Sequence, residues 1–229
     1  MIPLLIISLA PIVLLLIYLY KRDKYEKEPI KLLIKVFIFG GLTVIPVFYI
    51  ETWLGDYWDI KYNYPANKIL TAAYKAFFVA ASTEEFFKLL VFFIFIWKNK
   101  NFNEKFDGII YAVYISLGFA AIENIMYVFS NGIQTGLMRA FTAVPAHAVF
   151  ATSMGYFLAL AKFKQNNTFV FLLASLFVPI LIHGFYDFTI MSQNDLLLLL
   201  FFPFLIYIIV QALKQMKKLS DDSIFKKIR

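Results

Sequence analysis

Seven ionisable residues, Glu84, Glu85, Lys88, Glu123, His147, His183 and Asp187, interrupt stretches that are otherwise apolar enough to cross a lipid bilayer. An ionisable side chain at mid-bilayer costs about 2.5 to 3.5 kcal/mol, so leaving these groups against lipid would carry a penalty on the order of 10 kcal/mol or more. They are expected to share a polar interior. Carboxylates, two imidazoles and one ammonium in such an interior make either a path for protons or ions or a site where water is activated for hydrolysis.

Their spacing is informative. Glu84 and Lys88 stand one helical turn apart and can pair, while Glu85 points about 100° away and is left for chemistry or for a different partner. A free carboxylate in a dry site suits a general base that takes a proton from water and returns it to a leaving amine. His183 and Asp187 repeat the i,i+4 spacing, so the carboxylate is expected to fix the imidazole tautomer and leave the second nitrogen for water, metal or substrate. Glu123 follows the small residues Gly118, Ala120 and Ala121, which allow close helix approach. The neighbouring Asn124 offers an amide that would donate to an oxyanion, or else simply bridges helices. His147 follows Pro145, which removes one helical hydrogen bond and opens room nearby.

The chain around these residues is 61% hydrophobic and 16% charged over 229 residues, far more apolar than a soluble domain. The expected fold is all-α: a polytopic transmembrane helical bundle of about seven spans. The spans are read at roughly 2–20, 32–51, 69–97, 107–129, 138–161, 168–190 and 196–213. One multi-pass membrane unit is expected over 1–229, divided into N-terminal spans and an outer loop (1–68), a motif-bearing core (69–190), and a last span with a cytoplasmic tail (191–229).

The formal charge of +7 is not spread as a nucleic-acid-binding stripe. Lys and Arg cluster after the first, third and fifth segments and in the tail, whereas Trp53, Tyr57, Trp58, Lys61, Tyr62 and Tyr64 occupy an opposite connector. The positive-inside rule then gives an outer N-terminus and an inner C-terminus, with the aromatic residues in an outer interfacial belt. Counting along each helix brings the polar groups of four segments to a similar depth in the outer half of the membrane. Clustering at one depth favours a site over a transmembrane relay.

The chain has no cysteine, which removes thiol chemistry. HExxH is absent, as are a Gly-x-Ser-Gly nucleophile and a Gly-x-Gly-Asp partner for Asp187, and Asp107 lies at the inner edge. Zincin, rhomboid and aspartyl-dyad chemistries are therefore disfavoured. A proton-coupled transporter or channel built on the same cluster is the competing reading, although no internal repeat supports it. A non-catalytic receptor or scaffold is a third.

Glu84-Glu85-x-x-Lys88, Phe119-x-x-x-Glu123 and His183-x-x-x-Asp187, in that order, resemble the PrsW family of bacterial membrane proteases, as do Phe106-Asp107-Gly108-Ile109 and His147 with Met154-Gly155-Tyr156. That family is similar to the CAAX-prenyl endoproteases and other glutamic intramembrane proteases. Compared with their motifs, Lys88 replaces an arginine at a spacing shorter by one, and Glu123 stands where they have histidine. The resemblance implies a multi-pass protein of the bacterial cytoplasmic membrane that makes a first, extracytoplasmic cut in a single-span anti-sigma factor during a stress response. On this reading Glu84 or Glu85 activates water, His183 assists and is oriented by Asp187, Lys88 balances one carboxylate, Glu123 and His147 complete the site, and Asn124 holds the oxyanion. A zinc ion on Glu84, Glu123, His147 and His183 is chemically compatible, while the kinship to glutamic proteases favours hydrolysis without metal.

Overall fold

A computed structural model describes residues 1–62, 68–164 and 166–227. Tyr64, the side chain of Tyr62 and the terminal Arg229 lie outside the described residues.

The described chain is all-helical. Helix α1 (Ile2–Arg22) ends on Lys21 and Arg22, whose charges complement the helix C-terminus. Helices α2 (Ile30–Leu42) and α3 (Val44–Tyr62) meet at Thr43, whose hydroxyl donates to the Gly40 carbonyl at 2.6 Å. Pro46 follows and supplies no N–H to the ladder, so the break is fixed locally. Helix α4 (Lys68–Ala73) passes through a π-helical stretch, Tyr74–Ala81, into α5 (Ser82–Phe95). The remainder are α6 (Lys105–Asn131), α7 (Ile133–Phe141), α8 (Ala143–Phe163), α9 (Thr168–Met191) and α10 (Asp195–Asp221).

Among the described residues, six helical runs are long and apolar enough to cross a membrane. The remaining segment of the seven, Lys68 to Phe95, is helical too but carries Glu84, Glu85 and Lys88. Three segments extend beyond their expected limits: the second runs on through α3, the fifth begins with α7, and the seventh continues to Asp221. The aromatic connector divides in two. Trp53 and Tyr57 stack on each other and are exposed, whereas Trp58 stacks on Tyr74 at 4.0 Å and donates to Thr71 at 3.2 Å, tying α3 to α4.

Helix α6 is the axis of the bundle. Its residues from Phe106 to Ala121 are all buried, against α1, α2, α5 and α8. Glycine makes this crowding feasible, because a β-carbon on Gly118 would lie 2.0 Å from the Phe37 carbonyl and one on Gly155 of α8 would lie 2.2 Å from the Gly108 carbonyl.

The basic connectors meet at one end of the bundle. Asn103 donates to Glu26 at 3.1 Å, Lys162 to the Trp97 carbonyl at 3.1 Å, Lys105 pairs with Asp222, and Ser223 donates to Glu104. Under them lies a buried acidic layer in which Tyr111 donates to Glu28, Asp23 accepts from the Glu28 amide, and Glu104 and Asp107 form the capping box of α6. Burial pushes the carboxyls of Asp23 and Glu28 up to about 7.

Two outcomes follow from this packing. Gly155→Ala should destabilise the protein by about 1 to 3 kcal/mol, read as a lowered thermal midpoint in detergent, because α6 and α8 must part to admit the methyl group. Asp23 and Glu28 hold protons in the folded chain at pH values where the unfolded chain has released them, so stability should fall as pH rises from about 4 to 7. Glu28→Gln should flatten that decline in thermal unfolding followed across pH.

Candidate active site

The groups singled out from the sequence converge. Helix α5 supplies Glu84, Glu85 and Lys88, α6 supplies Glu123, α8 supplies His147, and α9 supplies His183 and Asp187. They form one connected network. Lys88 Nζ donates to Glu84 at 2.9 Å and to Glu85 at 2.7 Å, and it lies 3.4 Å from His147 Nδ1. His147 Nε2 is 2.9 Å from Glu123 Oε2, which also accepts from Arg139 at 2.6 Å.

Three expectations change at this resolution of detail. Glu85 is not free: it is 0% exposed and shares the ammonium with Glu84, because the long lysine stem reaches both i−3 and i−4 neighbours. His183 keeps no nitrogen for a ligand. Its Nδ1 is 3.0 Å from Glu85 and its Nε2 is 3.3 Å from Asp187. Ionised carboxylates only accept, so bonding both nitrogens to them requires the doubly protonated ring. Asn124 is fully buried and turned out of the site, donating to the Ser8 carbonyl at 2.7 Å and accepting from Arg139 Nε at 2.7 Å. It bridges α1 to α6 and aims the arginine.

The orientation of the His147 ring follows from its two neighbours. The ammonium of Lys88 can only donate, so Nδ1 accepts and the Nε2 proton points at Glu123. Phe119 lies under the lysine, with its ring centroid 4.5 Å from Nζ, and Phe150 stacks on His183 at 4.6 Å. These rings clamp the polar side chains from their apolar sides.

A cavity of about 540 Å³ opens onto this network and is lined by Glu51, Glu84, Glu123, Arg139, His147, His183 and Asp187. Glu84 reaches it, whereas Glu85 does not. Two of these residues were missed in the sequence. Arg139 looked like a connector charge, and only the fold-back of α7 brings it to Glu123. Glu51 closed an apolar run and so looked like the end of a span; an acid seven residues after Val44, on the same helical face, was the signal to read.

Glu84, Glu85 and His183 have donor atoms within 4.8 Å of one another, the one such group among the described residues, so by type and spacing they could hold a metal ion. Glu123 and His147, expected beside them as ligands, pair with each other and with Arg139 instead. In the arrangement described, Lys88 takes an oxygen of each glutamate and both nitrogens of His183 are bonded. One further oxygen on each glutamate remains, short of the three protein ligands of a catalytic zinc.

An all-helical bundle that crosses the membrane several times and buries carboxylates and imidazoles against an open cavity defines a membrane-embedded acid–base site. The comparisons with known proteins give the class its family. Residues 28–213 match the family described as PrsW family intramembrane metalloprotease. Proteins named Protease PrsW are similar to the chain: that of Oceanobacillus iheyensis is 39% identical over 95% of this chain and 96% of its own length, and that of Geobacillus kaustophilus is 37% identical over 82% and 79%. The Bacillus subtilis protein is 31% identical over 92% and 93%. No solved structure matches. The chain belongs to the PrsW family and is a multi-pass bacterial membrane peptidase.

Removing the shared cation tests the network. Lys88→Met strands two buried carboxylates and should cost about 3 to 5 kcal/mol of stability. Adding Glu85→Gln to it should recover part of that loss, a coupling of about 0.5 to 3 kcal/mol in a double-mutant cycle of unfolding.

Proposed function

We propose that the cavity hydrolyses a peptide bond of a membrane-anchored substrate, with Glu84 as the general base. The observation that carries this reading is that Glu84 alone of the adjacent pair faces the cavity while its partner Glu85 fixes both Lys88 and His183 behind it. Water held against Glu84 gives up a proton to the carboxylate as its oxygen attacks the scissile carbonyl. The His183 imidazolium and the Arg139 guanidinium, both at the cavity wall, face the negative charge that develops on the carbonyl oxygen. The C–N bond then breaks, the proton on Glu84 passes to the leaving nitrogen, and the products are a carboxylate and an amine. Asp187 and Glu85 act as positioning groups for His183, and the His147–Glu123 pair also lines the cavity.

Lys88 already supplies the positive charge between the two glutamates, and only one further oxygen on each is left for the metal named in the family's description. The mechanism is therefore written on the chain's own groups. Family membership favours hydrolysis over the transporter reading of the same cluster. Two features support an extracytoplasmic cut. The basic connectors share one end of the bundle, which the positive-inside rule assigns to the cytoplasm. Glu123 lies sixteen residues along α6 from the acidic layer at that end, about 24 Å away. A single-span anti-sigma factor suits a site of that depth.

The test is cleavage of a reconstituted single-span substrate. Glu84→Gln should lower the rate by about 100- to 10,000-fold with little change in thermal midpoint, and full activity in Glu84→Gln, Glu123→Gln and His183→Asn alike would end the hydrolytic assignment. Activity should survive exhaustive chelation; loss that zinc restores would show that a metal displaces Lys88.

A further inference from the structure

An apolar cleft of about 560 Å³ lies between the α2–α3 bend and α6, walled by Ile38, Leu42, Ile45 and Phe48 on one side and Ile122 and Met126 on the other. It continues into the catalytic cavity. A middle chamber of about 290 Å³ shares Val44, Phe48 and Met126 with the cleft, and shares Glu51, Glu84, Glu123 and Tyr127 with the cavity. Val44, Phe48 and Glu51 fall at i, i+4 and i+7, so a single face of α3 runs from lipid to the reacting groups. On the facing helix, Phe119, Glu123 and Met126 have the same i, i+4, i+7 spacing and line the middle chamber.

We infer that this cleft is the docking site for the apolar span of a membrane-anchored peptide, and that Glu51 receives backbone N–H groups of the segment leading from that span to Glu84. The inference rests on the peptidase reading and adds the route by which substrate arrives. Glu51 distinguishes a peptide from a lipid. Its Oε1 is buried and accepts no hydrogen bond among the described residues, a costly state for an acceptor. An acyl chain offers it nothing. A peptide strand unwound from a helix presents N–H groups that have lost their partners and that lipid cannot satisfy. The order of the walls, apolar cleft, then Glu51, then Glu84, matches a span followed by an extended cleavable segment.

The chain has no cysteine, so single reporters are direct. Ile45→Cys in the cleft and, as control, Phe177→Cys on the lipid-facing side of α9 are each labelled with a fluorophore. Both are made in the inert Glu84→Gln protein and reconstituted in liposomes. The probe is a synthetic peptide of about 20 leucine and alanine residues with an extended polar tail and a quencher where the two join. Saturable quenching is expected at position 45 and only weak, linear quenching at 177. Leu42→Trp, which fills the cleft from an exposed position, and Glu51→Gln should each weaken binding on the order of tenfold. Equal quenching at both positions, or affinity unchanged by both variants with thermal midpoints intact, overturns the docking site. So does saturable quenching at 45 by brominated phospholipid that the peptide fails to displace. Because the read-out is binding to an inert protein, its failure alongside Glu84-dependent hydrolysis removes only the docking site, whereas binding by the Ile45→Cys protein with Glu84 restored, without hydrolysis, removes the peptidase reading.

Discussion

The ammonium of Lys88, divided among Glu84, Glu85 and the ring of His147, is the interaction on which the arrangement of the bundle's polar centre depends. Its three protons find three acceptors, and it is 1% exposed. A buried ion pair of this kind seldom adds net stability, because desolvation consumes most of the Coulombic gain. What it adds is placement. With the cation fixed, Glu85 is held toward His183, Glu84 is left facing the cavity, and α5 is tied through His147 to α8. One side chain thereby sorts two adjacent glutamates into different environments.

That polar centre is affordable only because the rest of α6 is packed backbone to backbone. Gly118 against α2 and Gly108 against Gly155 bring helices together at distances that exclude any β-carbon. Tight apolar contact over several turns offsets the cost of enclosing charge at Glu123 on the same helix. The acidic layer at the far end of α6 applies a second restraint, fastening two connectors and the C-terminal tail to the first two turns of that helix. Between them, the two restraints set both the register and the rotation of the axis that carries Glu123.

Much of this was legible in the residues themselves. Hydrophobic segments of span length, broken by ionisable groups too costly to leave in lipid, were enough to mark the seven helical segments and the four that carry the site. Spacing at i,i+4 gave the Glu84–Lys88 and His183–Asp187 contacts. Contacts between helices were not legible, and apart from the sharing of Lys88 by Glu85 within α5 each revision is of that kind. Nothing local says that His183 also meets Glu85, that Asn124 is spent on Ser8, or that Arg139 folds back onto Glu123. Charges in connectors read as topology signals until a short helix such as α7 turns one of them inward. Likewise Asp23 and Glu28 stand among lysines in a connector, and nothing in that local sequence marks them as buried.

The π-helical stretch ahead of Ser82 gives the glutamates a dependence on their upstream neighbours. A wide turn accommodates an extra residue, and each residue so accommodated rotates everything after it by about 100° relative to a regular α-helix. The compass bearing of Glu84 and Glu85 is thus written in Tyr74–Ala81, two turns away, where Ser82 Oγ already donates to the Phe77 carbonyl at 2.6 Å. Straightening that stretch would swing both acids off their partners while breaking very few backbone bonds. The orientation of both glutamates is set by a helical irregularity that contains neither of them.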